Sequence, residues 1–238
     1  MNNQTAERLI ATGQLNVKHL LEIGKKVESV SVWQAVIAQI TWEGLTVEQL
    51  LEIGEKAENT DVWRTIVNSK SLTVEQMLEI GNRAEIGIVW QAVINTGKLT
   101  VEQMLEIGEK AKINYVWRAV VNTGQLTTKQ LLEISETAED NYVWRAVVNT
   151  GKLTVEQMLE IGETAKDGYV WRAVVNTEQL TTKQLLEIGE EAKSALVWQA
   201  VIARITWDGL TVEQMLEIGK RAEDDYVWRR IANQIRQV

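Results

Sequence analysis

The sequence contains no cysteine and no proline, only one histidine, His19, and no long uninterrupted apolar run. Each absence removes a class of function. Without thiols there are no disulfides, no thiolate nucleophiles and no cysteine-based zinc sites. A single imidazole leaves no two-histidine zinc motif and no histidine-rich metal site. Without proline there is neither a Pro-rich linker nor a PxxP ligand. Every apolar stretch is interrupted by Glu, Lys, Gln or Thr within a few residues, far short of the roughly 20 apolar residues that a membrane-spanning helix needs. The residues after Met1 are polar as far as Arg8, so no signal-like block follows it, and the default expectation is an intracellular, cytoplasmic protein. The formal net charge of -8 favours solubility and opposes long-range attraction to phosphate backbones.

What remains is ordinary in proportion and unusual in arrangement. Hydrophobic residues make up 45% and charged residues 24% of the 238 positions, enough apolar surface for a substantial core. Trp33, Trp63, Trp90, Trp117, Trp144, Trp171, Trp198 and Trp228 are separated by 30, then five times 27, then 30 residues. The chain is therefore eight copies of one unit.

Leu99 to Gln125 serves as the reference unit. Thr100 and Gln103 form a capping-box pattern, and Leu99 with Met104 has the spacing of a hydrophobic staple, so a first helix is predicted from Val101. Its apolar positions Val101, Met104, Leu105, Gly108 and Ala111 recur at three- and four-residue steps, with Ile107 widening the stripe. A glycine inside a helix costs roughly 1 kcal/mol against alanine. Gly24, Gly54, Gly81, Gly162, Gly189 and Gly219 nevertheless repeat it, and only Ser135 departs, which implies a close helix-helix approach that a larger side chain would block. A second helix is predicted from Asn114 or Tyr115, with Val116, Trp117, Val120 and Val121 on one side and Asn122-Thr123-Gly124 as its stop. Helices of two to three turns are unstable alone, so each hairpin needs its neighbours.

The expected fold is all-α, a right-handed αα-superhelix (solenoid) of eight helical hairpins. It is read as one domain over 1–238, with an N-terminal half-repeat cap at 1–14, tandem repeats at 15–227 and a capping helix at 228–238. Two-unit blocks alternate LTVEQML with LTTKQLL, as duplication in pairs would produce.

Leu99, Thr100, Glu102, Gln103, Ile107, Trp117 and Val120 stand at spacings that resemble the TAL-effector-like repeats. That resemblance implies αα-hairpins wound into a right-handed superhelix around DNA, each reading one base through its interhelical loop. The corresponding loop positions here are Lys110 and Ala111, where the helical pattern continues.

Comparison among the units points to candidate contact residues. The letters before each tryptophan vary most and include Tyr115, Tyr142 and Tyr169. The residue after it is arginine in five units, Arg64, Arg118, Arg145, Arg172 and Arg229, and glutamine in three. Stacked units would set these groups in a ladder able to hold acidic peptides or phosphates. Alternatively, each arginine pairs with a nearby glutamate and the turn letters drift unconstrained. The eight tryptophans themselves read as core, or else as an exposed aromatic rail. Trp42 and Trp207 sit in three-residue insertions, ITWEGLT and ITWDGLT, after the first and seventh units, which points to self-association through the ends or to duplication of a block.

The leading functional reading is a non-enzymatic scaffold that binds a protein or peptide along the superhelical face, with no cofactor, metal or membrane partner. A DNA-binding protein of TAL-effector-like kind is the alternative, as is a self-assembling or engineered repeat protein.

Overall fold

A computed structural model describes residues 1–27, 29–42, 44–57, 60–68 and 72–236. Glu43 of the first insertion and residues 237–238 of the expected capping helix lie outside them. The described residues form helices joined by short turns, in two compact units, Met1–Thr123 and Gly124–Val238.

The N-terminal unit contains α1 (Asn3–Ala11), α2 (Val17–Val27), α3 (Val30–Gln39), α4 (Val47–Ala57), α5 (Thr60–Asn68), α6 (Val74–Ala84), α7 (Gly87–Asn95), α8 (Val101–Ala111) and α9 (Asn114–Asn122). Within it α2·α3, α4·α5, α6·α7 and α8·α9 pack as hairpins, while α1 lies against α3, α5 against α7 and α7 against α9. The C-terminal unit contains α10 (Thr128–Ala138), α11 (Asn141–Val148), α12 (Val155–Ala165), α13 (Gly168–Val175), α14 (Thr182–Ala192), α15 (Ala195–Arg204), α16 (Val212–Ala222) and α17 (Asp225–Ile235). Its hairpins are α10·α11, α12·α13, α14·α15 and α16·α17, and the second helices α11, α13, α15 and α17 pack in succession. Each unit is thus an array of packed helical hairpins. Helix α1 covers Asn3–Ala11 of the expected 1–14 cap, and α17 starts at Asp225 rather than at 228.

The predicted helix starts are made by side chains. Thr100 Oγ1 accepts from the Gln103 backbone N–H at 3.3 Å, and Gln103 Oε1 accepts from the Thr100 N–H at 3.0 Å. The same reciprocal pair opens α6, α10, α12, α14 and α16. In the first turn, backbone N–H donation and the capping threonine hydroxyl hold the Glu48, Glu75 and Glu156 carboxyls below their usual range.

Helix α8 runs through Lys110 and Ala111 and ends at Lys112 in the left-handed region, φ 52°. Glu85, Glu139, Lys166, Lys193 and Glu223 take the same conformation at the same place, so the turn is set by the backbone rather than by glycine. The buried residues of α8 are Met104, Ile107 and Gly108, so Ile107 is central to the stripe while Val101, Leu105 and Ala111 are only half-buried. On α9, Val116, Trp117, Ala119, Val120 and Val121 are all buried.

The glycine inside each first helix faces the tryptophan of its own hairpin rather than a neighbouring backbone. A Cβ at Gly81 or Gly108 would lie 2.4 Å from Cζ3 of Trp90 or Trp117, and the slots at Gly24, Gly54, Gly162, Gly189 and Gly219 are similarly closed by Trp33, Trp63, Trp171, Trp198 and Trp228. Trp33, Trp63, Trp90, Trp117, Trp171 and Trp198 are exposed by at most 5%. Most of the tryptophans are therefore core, and Trp144 and Trp228 are the half-buried exceptions.

Alternation of two loop sequences has a structural cause. Lys152 Nζ donates to the Gly124 and Leu126 carbonyls, both at 2.7 Å, and Thr128 Oγ1 donates to the Lys152 carbonyl at 3.2 Å. Arg204 repeats the device on the Asn176 and Thr177 carbonyls at 2.9 and 2.8 Å, and Lys98 reaches the Leu72 carbonyl at 3.4 Å. A cation on one loop thus satisfies carbonyls on the loop before it. Charge-assisted bonds of this kind contribute about 1.5–3 kcal/mol when shielded, and less at the surface. Lys152→Met should lower stability by about 1 kcal/mol, read as a smaller urea midpoint at unchanged helical content; an unchanged midpoint would show the latch to be idle.

Candidate partner-binding face

In the C-terminal unit, arginine and tyrosine positions of the second helices line two clefts. The start of each helix is what places them. Asp140 caps α11 by accepting from the Tyr142 and Val143 N–H groups at 2.9 and 3.0 Å, and Asp167 does the same for Tyr169 and Val170 on α13. With Val143 and Val170 fully buried one residue on, the tyrosines must face outward, and each is 57% exposed.

Tyr142, Arg145 and Tyr169 line one cleft of about 350 Å³ together with Asn141 and Asp167. The Arg145 guanidinium carbon lies 5.8 Å from the centre of the Tyr169 ring, within cation–π range. Its Nε is buried with no hydrogen-bond partner. A buried N–H without an acceptor costs on the order of 1–3 kcal/mol.

Arg172 lines a second cleft of about 400 Å³ with Asn176, Leu196, Gln199 and Tyr226. Gln199, standing where other units have arginine, donates to Asp224 Oδ2 at 3.2 Å and so ties α15 to the cap of α17. Arg229 is exposed on α17 and lines neither cleft.

In the N-terminal unit the same positions behave differently. Tyr115 is half-buried, its hydroxyl seated against Gly87 of α7, where any Cβ would meet it at 2.1 Å. Arg64 pairs with Asp61 at 3.1 Å at the surface, while Arg118 is exposed on α9. Trp42 and Trp207 are half-buried, in loops that leave α3 and α15 through extended Ile40 and Ile205. The capping role of Asp140 and Asp167 was not read from the sequence, although Asp two residues before Tyr142 and Tyr169 is a visible signal.

Among the described residues there is no group of three or more His, Cys, Asp or Glu that would hold a metal ion. No described helix is long and apolar enough to cross a membrane.

No family model matches the chain, and no curated protein matches it. Among solved structures, the chain is similar to the crystal structure of a de novo designed helical repeat protein, DHR64, at 13% identity and a TM-score of 0.15, covering 98% of this chain and 93% of that one. A second, the DHF58 filament, gives 12% identity, a TM-score of 0.15 and coverage of 98% and 92%. At those scores neither superposition bears on fold or function, and the all-α hairpin architecture rests on the chain's own helices.

Proposed function

We infer that the chain is an interaction scaffold that binds an acidic protein segment or peptide on its second-helix face. In this reading the two units belong to one intracellular right-handed αα-superhelix over 1–238, flanked by half-repeat and helical caps. The observation that carries it is Arg145, whose Nε is buried and without an acceptor beside two exposed tyrosines. A carboxylate there would gain a charge-assisted bond and a stacking platform together. The TAL-effector-like alternative would need phosphate contacts from the same arginines; the helix running through Lys110 and Ala111 leaves no loop at that place to read a base.

The test is recovery of partners on the intact chain, with and without nuclease, identified by mass spectrometry. A protein partner that resists nuclease and weakens at least tenfold for Arg145→Ala with Arg172→Ala supports the reading. Recovery of nucleic acid alone, or a protein partner indifferent to both substitutions, overturns it.

A further inference from the structure

One hairpin breaks two rules of the array at the same place. Helix α10 carries Ser135 where the other first helices carry glycine, and the Trp144 indole binds the backbone of that position. Its Nε1–H donates to the Ser135 carbonyl at 2.6 Å, and the half-buried ring forms one wall of a cleft of about 280 Å³. Glu136, Glu139 and Glu160 stand around that cleft. Among the described residues none of the three has an ion-pair partner within 4.0 Å.

Two other places in the array put a cation in this register, while Glu163, Glu187 and Glu191 repeat the all-carboxylate arrangement beside buried Trp171. Glu136 follows the slot residue of its helix by one, and Glu160 precedes the next slot residue, Gly162, by two. Glu190 and Glu217 occupy the same two places around Gly189 and Gly219. There the Arg221 guanidinium reaches both, hydrogen-bonded to Glu190 and, through Nε, to Glu217 at 3.2 Å. Lys25 and Glu52 fill the same register as an ion pair at 2.8 Å. The counterpart of Arg221 beside Glu160 is Thr164, an uncharged short side chain that lines the cleft. Two carboxylates therefore stand where a cation is held elsewhere in the chain, no described residue supplies a cation within 4.0 Å, and the half-buried Trp144 indole lines the cleft with them.

We propose that this cleft receives the side chain of an arginine from a partner polypeptide, its guanidinium between Glu136 and Glu160 and its plane against Trp144. Guanidinium fits better than ammonium, because its planar fork bonds two carboxylates while stacking on an aromatic face. The volume lies just below the roughly 300 Å³ where small-molecule pockets begin, which suits one side chain. This cleft shares no lining residue with those of Arg145 and Arg172 and selects the opposite charge, so the inference stands apart from the reading of that face.

The test follows the tryptophan indole resonances of the ¹⁵N-labelled full chain during titration with Nα-acetyl-arginine amide, Trp144 being assigned from its loss in Trp144→Phe. A saturable shift of the Trp144 resonance is expected. It should weaken at least tenfold with Nα-acetyl-citrulline amide, which keeps the shape and lacks the charge, and at least tenfold in Glu136→Gln with Glu160→Gln. Thr164→Arg, which supplies the cation from within as α16 does, should abolish it. Absence of a shift, an equal response to the citrulline amide, or a response that survives the glutamine pair overturns the proposal. Agmatine binding more than tenfold tighter than the arginine amide overturns the assignment to a polypeptide in favour of a free guanidino amine. Should Thr164→Arg not fold by circular dichroism, the glutamine pair decides.

Discussion

Trp117→Ala should lower stability by about 3–5 kcal/mol, whereas Trp144→Ala should cost less than half as much. The two tryptophans hold the same sequence position, so the contrast isolates burial. Trp117 is 5% exposed, its ring filling the slot over Gly108 among buried Val116, Val120 and Val121. Removing it leaves a cavity that short, tightly capped helices cannot collapse into, because the capping box at Thr100 and the turn at Lys112 fix both ends of α8. Trp144 is half-buried, and truncating it removes one wall of an open cleft. Equilibrium urea unfolding monitored by circular dichroism measures both. In an array where each hairpin leans on its neighbours the loss should appear as an early, separate transition as well as a lower midpoint. Equal midpoint shifts for the two variants would show that the slot contributes nothing beyond the tryptophan itself.

Local structure was the most legible part of the sequence. Thr100 and Gln103 marked a helix start, Gly124 marked a helix stop and does adopt φ 72°, and the tryptophan spacing gave the hairpin count. Such features depend on residues close in sequence, so one unit suffices to read them. What lay between units was less visible. The glycine position was read as a helix-helix approach, yet its partner is an indole nine residues on, because a period shows that a position is tight without showing what crowds it. Stacked units predict a ladder of arginines, while the structure separates Arg145, with its buried Nε, from surface-paired Arg64. That difference arises from neighbours such as Asp61 and Tyr169, whose reach depends on how successive hairpins pack. Lys152 gripping the Gly124 and Leu126 carbonyls was hidden for the same reason, although the alternation of LTVEQML with LTTKQLL was in plain view.

The slot also makes an unusual demand on helix composition, and Gly108→Ala should lower stability by about 2 kcal/mol. At an exposed helical site this substitution stabilises by about 1 kcal/mol. Here the new Cβ would stand 2.4 Å from Trp117 Cζ3, and the contact is with a rigid ring rather than the end of a flexible chain. Overpacking typically costs about 1–3 kcal/mol, and the indole must in addition give up part of its burial, so the steric term wins over propensity. The chain has already made a comparable change at Ser135. That side chain donates its hydroxyl to the Leu132 carbonyl at 2.7 Å, and Trp144 is half-buried where most of the other tryptophans are buried. The reverse substitution, Ser135→Gly, should therefore seat Trp144. It should move its fluorescence to the blue, close the cleft beside Glu136 and Glu160, and raise stability by about 1 kcal/mol once the poorer helix propensity of glycine is subtracted. A Gly108→Ala chain as stable as the parent, or a Ser135→Gly chain whose Trp144 emission stays that of a half-exposed indole, would mean that something other than the slot residue decides where the tryptophan lies.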